Sequence, residues 1–263
     1  MNLKKSYTEK YGYERVVTDR NSPLTYEEAD MLKLADGQSY TVDEAGKEFV
    51  LVVLYGKCSV EGEGFCFPEV GSRKNVFEAA AETVYVGKDM PFTVTGKGGD
   101  VKICVCKAPA EKYYAPAYIP VKDVVVKTFG KGSYVREVAF TFPETMQANY
   151  LYIGEFWVED GKWGSFPPHK HDLDNAPIEG FLDEIYYYEF DKPQGFGVQM
   201  VYTTDGTIDE AYKVKTGDFV EIPKGYHPFT VAPNYKNYCL WIMAGKRRGL
   251  LSTTEEVHKW MNK

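Results

Sequence analysis

Two of the four histidines in this 263-residue chain, His169 and His171, stand one residue apart in the stretch WGSFPPHKHDLDNAP, residues 163–177. Side chains alternate along an extended segment, so an H-x-H pair there turns both imidazoles to one face and makes half of a metal site. A third histidine, His227, lies in GDFVEIPKGYHPF, just past the Pro-x-Gly turn of Pro223 to Gly225, and Glu184 opens the run EIYYYEF. Imidazoles with one carboxylate suit a divalent metal, zinc first and manganese, iron, cobalt or nickel as alternatives, and leave positions open for water or substrate. His258, the fourth histidine, is expected on the surface of a C-terminal helix.

Strands must position these groups. Most of the chain reads as short runs rich in Val, Tyr, Phe and Ile, cut by Gly, Pro and Asp: FVLVVLYG (49–56), VKICVCKAP (101–109), EIYYYEF (184–190), GFGVQMVYT (195–203) and YCLWIMAG (238–245). That pattern predicts an all-β sandwich or barrel. Helix is expected in only two places, LTYEEADMLKL and the end STTEEVHKWMNK, where Ser252 or Thr253 ahead of Glu255 and Glu256 reads as a capping box.

The halves repeat. VYVGKDMPFTV (84–94) matches VEIPKGYHPFTV (220–231) with a one-residue gap, KEFVLVVLYG (47–56) matches DEIYYYEFDK (183–192) in kind, and VKICVCKAP answers NYCLWIMAG. Two copies of one β-barrel is the simplest account, with residues 1–120 as the first and 121–263 as the second. The first copy has Met90 where the second has His227, and nothing before residue 168 resembles PPHKH. One copy therefore keeps the polar residues and the other lacks them. The proline-rich segment APAYIPVKDVVVKTFGKG is expected to carry the crossing.

Composition narrows the rest. Hydrophobic residues at 44% and charged residues at 26% fit a folded soluble domain with a sizeable core. A formal charge of −7 argues against nucleic acid or an anionic membrane as partner, and no run is long and apolar enough for a transmembrane helix or signal peptide. A cytoplasmic location is expected. The five cysteines have no disulfide or zinc-clip spacing, and Cys104 and Cys106 are expected to share one sheet face. Aromatic content of 15% leaves self-association into a homo-oligomer open.

The arrangement G-x5-P-x-G-x-H, preceded by H-x-H and a glutamate, resembles the two motifs of the cupin superfamily, small β-barrels with a metal at the mouth. A lone histidine in a barrel is commonly a hydrogen-bonded structural residue; three of four on cupin positions shift the weight to metal binding. Two departures stand out. Only Tyr226 separates Gly225 from His227 where two residues are usual, and Glu184 follows the H-x-H after the insertion DLDNAPIEGFL, so Glu179 remains a rival ligand. More closely, WGSFPPHKHD, LDEIYYYEFDKPQGFGVQMVYT, GTIDEAYKVKTGDFVEIPKGYHPFTVAP and YCLWIMAG resemble the 5-deoxy-glucuronate isomerases of myo-inositol catabolism. TVYVGKDMPFTV, CKAPAEKYYAPAYIPVKDV and GSYVREVAF resemble that family and the related 4-deoxy-L-threo-5-hexosulose-uronate ketol-isomerases. The resemblance implies a bicupin whose second barrel holds the metal. It is incomplete at Met200, where the family carries Arg, and at Trp241, where it carries Asn.

What the resemblance implies is a metal-dependent aldose–ketose isomerase that converts 5-deoxy-D-glucuronate, a small sugar acid, to 5-dehydro-2-deoxy-D-gluconate, with His169, His171, Glu184 and His227 on the cation. Another uronate such as the hexosulose-uronate, a dioxygenase, or a sugar-binding cupin without turnover are the alternatives, because ligand spacing alone does not separate them. The reaction needs a proton acceptor, for which Asp172 and Glu179 are candidates beside Glu184. Arg136 is expected to meet the substrate carboxylate, with an ion pair between domains as its alternative. Lys170 is a substrate-binding candidate, although alternation points it away from its flanking histidines. Tyr186, Tyr188 and Gln199 could line the barrel with hydrogen-bonding groups or belong to plain core packing.

Overall fold

The computed structural model describes residues 2–262. Two sets of sheets repeat one topology. In the first half, a six-stranded sheet runs in the order Ala117–Ile119, Thr83–Val86, Lys47–Tyr55, Val101–Pro109, Glu28–Leu34, Gly12–Val17, facing a four-stranded sheet of Ser39–Val42, Phe92–Gly96, Cys58–Gly62 and Phe65–Val70. In the second half, the order is Lys4–Ser6, Asp218–Ile222, Asp183–Phe190, Lys236–Ala244, Leu151–Glu159, Arg136–Phe142, Val125–Phe129, facing Trp163–Gly164, Phe229–Val231, Gly197–Tyr202 and Asp209–Val214. All the ladders are antiparallel. The N-terminal strand Lys4–Ser6 lies on the second barrel, flanking Asp218–Ile222 as Ala117–Ile119 flanks Thr83–Val86.

The large sheets lie back to back, which explains why their strands read as unbroken apolar runs rather than alternating ones. In Asp183–Phe190, Tyr186 and Tyr188 face the barrel interior, while Ile185 and Tyr187 join Val50, Val52, Cys104 and Cys106 between the barrels. A strand buried on both faces has no polar face to show. Polar contacts cross the seam as well: Arg73 pairs with Glu155 at 2.8 Å, and Glu48 accepts the main-chain N–H groups of Asn149, Tyr150 and Leu151.

Neither expected helix forms as expected. LTYEEADMLKL contains the strand Glu28–Leu34, because Ala29 and Met31 fill the seam while Leu32 and Leu34 fill the first barrel, and burial on two faces overrides helix propensity. At the C-terminus, Thr253–Thr254 pairs as a strand with His169–Lys170, and only Glu256–Asn262 turns, as a 3-10 helix. Cys104 and Cys106 do share a face, with their sulfurs 4.0 Å apart. Among the described residues, no helix is long and apolar enough to cross a membrane.

Candidate metal centre and pocket

Three segments far apart in sequence bring the donors together. Glu184 lies on the central strand Asp183–Phe190, fully buried. His227 is delivered by the turn before it: Gly225 has φ +93°, and a Cβ there would meet the Tyr202 carbonyl at 2.4 Å, so the turn needs glycine. The single residue between Gly225 and His227, Tyr226, exchanges main-chain hydrogen bonds with Tyr202. His169 and His171 come in on a strand held by the chain's own tail. Thr254 pairs with His169, Glu255 N–H donates to the Pro168 carbonyl at 2.9 Å, and the Tyr202 hydroxyl donates to Glu255 at 2.7 Å.

His171 Nε2 and His227 Nε2 both lie 3.1 Å from the same Glu184 oxygen, Oε2. Their other ring nitrogens face main-chain carbonyls: His171 Nδ1 meets Leu182 O at 2.8 Å, His227 Nδ1 meets Gly225 O at 3.0 Å, and His169 Nδ1 meets Pro167 O at 3.2 Å. A carbonyl only accepts, so each Nδ1 carries the proton and each neutral ring keeps its lone pair on Nε2. Lone pairs aimed at one carboxylate oxygen repel unless a positive charge lies among them. His227 Nε2 and Glu184 Oε1 are also buried without any hydrogen-bond partner. The ligand atoms of His171, Glu184 and His227 all lie within 4.8 Å of one another, and the His169 ring centroid is 4.9 Å from that of His227. This donor set fits a divalent cation.

The buried carboxylate favours positive charge at this point. Burial would raise the Glu184 carboxyl, yet His227 and His171 outweigh it and hold the pKa at about 2. Burial, then the neighbouring His227 and His171, pushes His169 down to about 3 and keeps it neutral. His171 is raised: burial opposes its charge, but the Glu184 contact prevails, so a proton on Nε2 competes for the place that a cation would take.

Beside these donors is a cavity of about 110 Å³, lined on its polar side by Arg136, Ser165, His169, Glu184 and Tyr186. It adjoins a more open space of about 420 Å³ toward the tail, with Arg136, His169 and Leu250 bordering both. Arg136 is half-buried and donates only to the carbonyls of Tyr134 (3.3 Å) and Phe166 (3.2 Å); among the described residues no carboxylate pairs with it, so the expected alternative of an ion pair between domains does not form. Ser165 and the Tyr186 hydroxyl are 2.5 Å apart.

Several expected site residues point elsewhere. Lys170 turns away from the histidines and binds Asp172 at 2.5 Å and Glu179 at 2.8 Å. Glu179 also accepts the N–H groups of Asp172 and Leu173, which removes it as a rival ligand and engages the carboxylate that would have served as a base. Asp172 accepts the Gly225 N–H at 2.8 Å, so it ties the H-x-H segment to the turn that carries His227 rather than facing substrate. Burial opposes its ionisation, but Lys170 and that N–H keep its pKa low. Tyr188 and Gln199 lie beneath the site: the Tyr188 hydroxyl donates to Gln199 at 2.6 Å, and Gln199 donates to the His227 carbonyl at 2.8 Å. Met200, next to Gln199, faces the outside of the barrel, so the arginine expected there from the resemblance would not reach this cavity. Sequence reasoning missed Ser165, Tyr152, Met243 and Leu250 as lining residues. Alternation from Arg136 would have found Val138 and Phe140; no local signal could have found Leu250, which folds back from the tail.

Fold and site together define a bicupin whose second barrel carries a donor set that fits a divalent cation. An oxalate decarboxylase from Lactobacillus farciminis shares this fold, with a TM-score of 0.69 at 12% identity over 99% of this chain and 90% of that one. The chain belongs to the KduI/IolB family, which it matches over residues 2–261. It is 38% identical over 247 residues to the 5-deoxy-glucuronate isomerase of Bacillus subtilis (strain 168), covering 93% of this chain and 91% of that protein. The 5-deoxy-glucuronate isomerase of Geobacillus kaustophilus (strain HTA426) is 37% identical over 93% of this chain and 89% of its own length. The crystal structure of an IolB-like protein from Salmonella typhimurium LT2 superposes with a TM-score of 0.96 at 34% identity over all of both chains.

Proposed function

We propose that the protein is an aldose–ketose isomerase that converts 5-deoxy-D-glucuronate to 5-dehydro-2-deoxy-D-gluconate at the His169, His171, Glu184 and His227 centre. The observation that carries this reading is a cavity bordered by His169 and Glu184 of the donor set and by an arginine that no carboxylate pairs with among the described residues. A guanidinium whose partners among the described residues are carbonyls alone is suited to a substrate carboxylate, which it can take in a bidentate pair. The names of the most similar relatives supply the sugar.

Zinc is our first choice for the cation, with manganese, iron, cobalt and nickel compatible with three imidazoles and a carboxylate. When bound, a divalent cation supplies Lewis acidity to the C1 and C2 oxygens, where negative charge develops as hydrogen shifts between the two carbons. The chain's own groups do the rest. Arg136 fixes the far end of the substrate and so sets which carbons face the donors. The Tyr186 hydroxyl, kept protonated by burial and placed against Ser165, is positioned to donate a hydrogen bond to a developing oxyanion. Asp172 and Gln199 act through the segments that carry His171 and His227.

The test is NMR of the purified protein with 5-deoxy-D-glucuronate in D2O, with and without a chelator. Chelator-sensitive appearance of the ketose is expected, with deuterium at C1 if a proton is exchanged. Absence of turnover by metal-loaded protein would overturn the reading and favour a sugar-binding cupin.

A further inference from the structure

Most polar groups that line the cavity already have a task. His169 and Glu184 belong to the donor set, Arg136 donates to carbonyls, and the Ser165 and Tyr186 hydroxyls hold each other. Two groups are left over, the Tyr152 hydroxyl and the Trp241 indole N–H. Tyr152 is 4% exposed and Trp241 5%, and neither group has a hydrogen-bond partner among the described residues. Buried polar groups are nearly always paired, so one that faces a cavity unpaired calls for an occupant. The indole lies on Gly154, directly across the ladder: a Cβ there would meet Cζ2 at 2.1 Å and Cε2, the carbon that bears the nitrogen, at 2.6 Å. That edge of Trp241 therefore lies against main chain, and the Tyr152 hydroxyl is the group left to the cavity.

Ladder register sets Tyr152 beside the donors. Tyr152 is opposite Met243 and Met243 is opposite Glu184, so the three side chains share one face of the sheet, with Tyr152 and Glu184 two strands, or about 10 Å, apart at the main chain. The Tyr152 ring is fixed by Trp241 and Phe140, with centroids 4.9 and 6.5 Å away. Burial first, and then Glu144, raises its pKa, so the hydroxyl keeps its proton and can donate. The corresponding row of the first barrel is Glu28, Lys107 and Phe49, and there the polar group in the Tyr152 place is held by Lys47 and Lys107. The second barrel leaves that place open to a ligand.

5-Deoxy-D-glucuronate offers oxygens at C1 and C2 to a cation and a carboxylate at C6 to Arg136; C5 bears no oxygen, and the hydroxyls at C3 and C4 remain for other groups to hold. Resting on the isomerase reading, we propose that Tyr152 is a substrate-binding residue whose hydroxyl donates to the C3 or the C4 hydroxyl, holding the middle of the sugar while the donor set and Arg136 take its ends.

The experiment measures kcat/KM, bound metal and denaturation midpoint for the metal-loaded wild type and Tyr152→Phe, with 5-deoxy-D-glucuronate and with its analogues lacking the C3 or the C4 hydroxyl. Tyr152→Phe keeps the ring and its packing, so metal content and midpoint should hold while kcat/KM on the parent sugar falls about 10-fold, the worth of one neutral hydrogen bond. The wild type should lose a similar factor on one of the two analogues, and on that analogue wild type and variant should be alike, because the bond is already absent. A tyrosine with a structural role alone would lower all three sugars by one common factor. That result, or wild-type kcat/KM in the folded variant, would overturn the assignment while leaving the isomerase intact. Should the variant not fold, the wild type decides: a selective loss on one analogue supports the assignment, and undiminished kcat/KM on both overturns it. Failure of the wild type to convert the parent sugar would overturn the isomerase reading, and this assignment with it.

Discussion

The two barrels solve the same electrostatic problem in opposite ways. Both bury carboxylates near one end of the interior. In the first, the protein brings its own cation: the Lys107 ammonium, fully buried, lies 2.6 Å from Asp30 and 3.3 to 3.5 Å from Glu44 and Glu28, and Lys47 binds Glu28 as well. In the second, Glu184 faces two imidazoles whose protons already go to carbonyls, and no lysine or arginine pairs with it among the described residues. Ladder register shows how local the difference is. Glu184 pairs across to Ile222 and Met243, and Phe49 holds the same place in the first barrel, opposite Val86 and Lys107. Phe49 packs edge-on against Phe92 at 5.2 Å where the second barrel would need a ligand. The first mouth is neutralised by the protein's own lysine, and the second is left short of positive charge.

Removing a donor should break this comparison most completely. His227→Ala is expected to abolish turnover and bound metal together while the β-type circular dichroism persists, since losing even an outer partner of a metal ligand costs about 10- to 100-fold. Metal analysis beside the activity assay checks it; retained activity would sink the site. In the first barrel, Lys107→Ala should leave metal content per folded molecule unchanged but destabilise the protein by about 3–5 kcal/mol, because Asp30 is left buried without its cation. Urea denaturation measures that loss.

A finer cut tests the layer beneath the site. Gln199→Leu deletes the hydrogen bonds to Tyr188 and to the His227 carbonyl, and should weaken metal affinity by about 10- to 100-fold without altering the first barrel, as read by competition with a chromophoric chelator. The smallest effect is expected at Glu9, where burial would raise the carboxyl but Lys33 and Lys102 hold it at about 2, against 4.5 for a free glutamate. Because the folded pKa is the lower one, the stabilisation is present above about pH 4.5 and disappears as the pH falls toward 2. The group is partly exposed, so the gain is about 1 kcal/mol or less. Denaturation midpoints of wild type and Glu9→Gln should differ at pH 6 and converge near pH 2; a constant gap across that range would sink the attribution.

Much of the site was legible in the chain because the relevant signals are periodic or local. H-x-H places two rings on one face of any strand, and Pro223 to Gly225 announces the turn that delivers His227. The repeat was legible too, although reading 47–56 against 183–192 end to end sets Glu48 against Glu184, whereas the ladders put Phe49 there and send Glu48 to the seam. Lys170 was legible as pointing away from its neighbours. Glu28–Leu34 was not legible as a strand, because a segment buried on both faces loses the alternation that distinguishes strand from helix.

The sequence by itself determined the all-β class, the doubling of the barrel, and which half keeps metal-binding residue types, since these depend on composition and spacing within a few residues. Tertiary structure alone decided that Glu184 and not Glu179 joins the histidines, that Arg136 has no carboxylate partner among the described residues, that Trp241 lies on Gly154, and that Thr254 and Glu255 hold the His169 segment in place. Each of these depends on which strands pair and in what register. Such pairings join residues dozens of positions apart, and a slip of one position would turn every side chain to the opposite face.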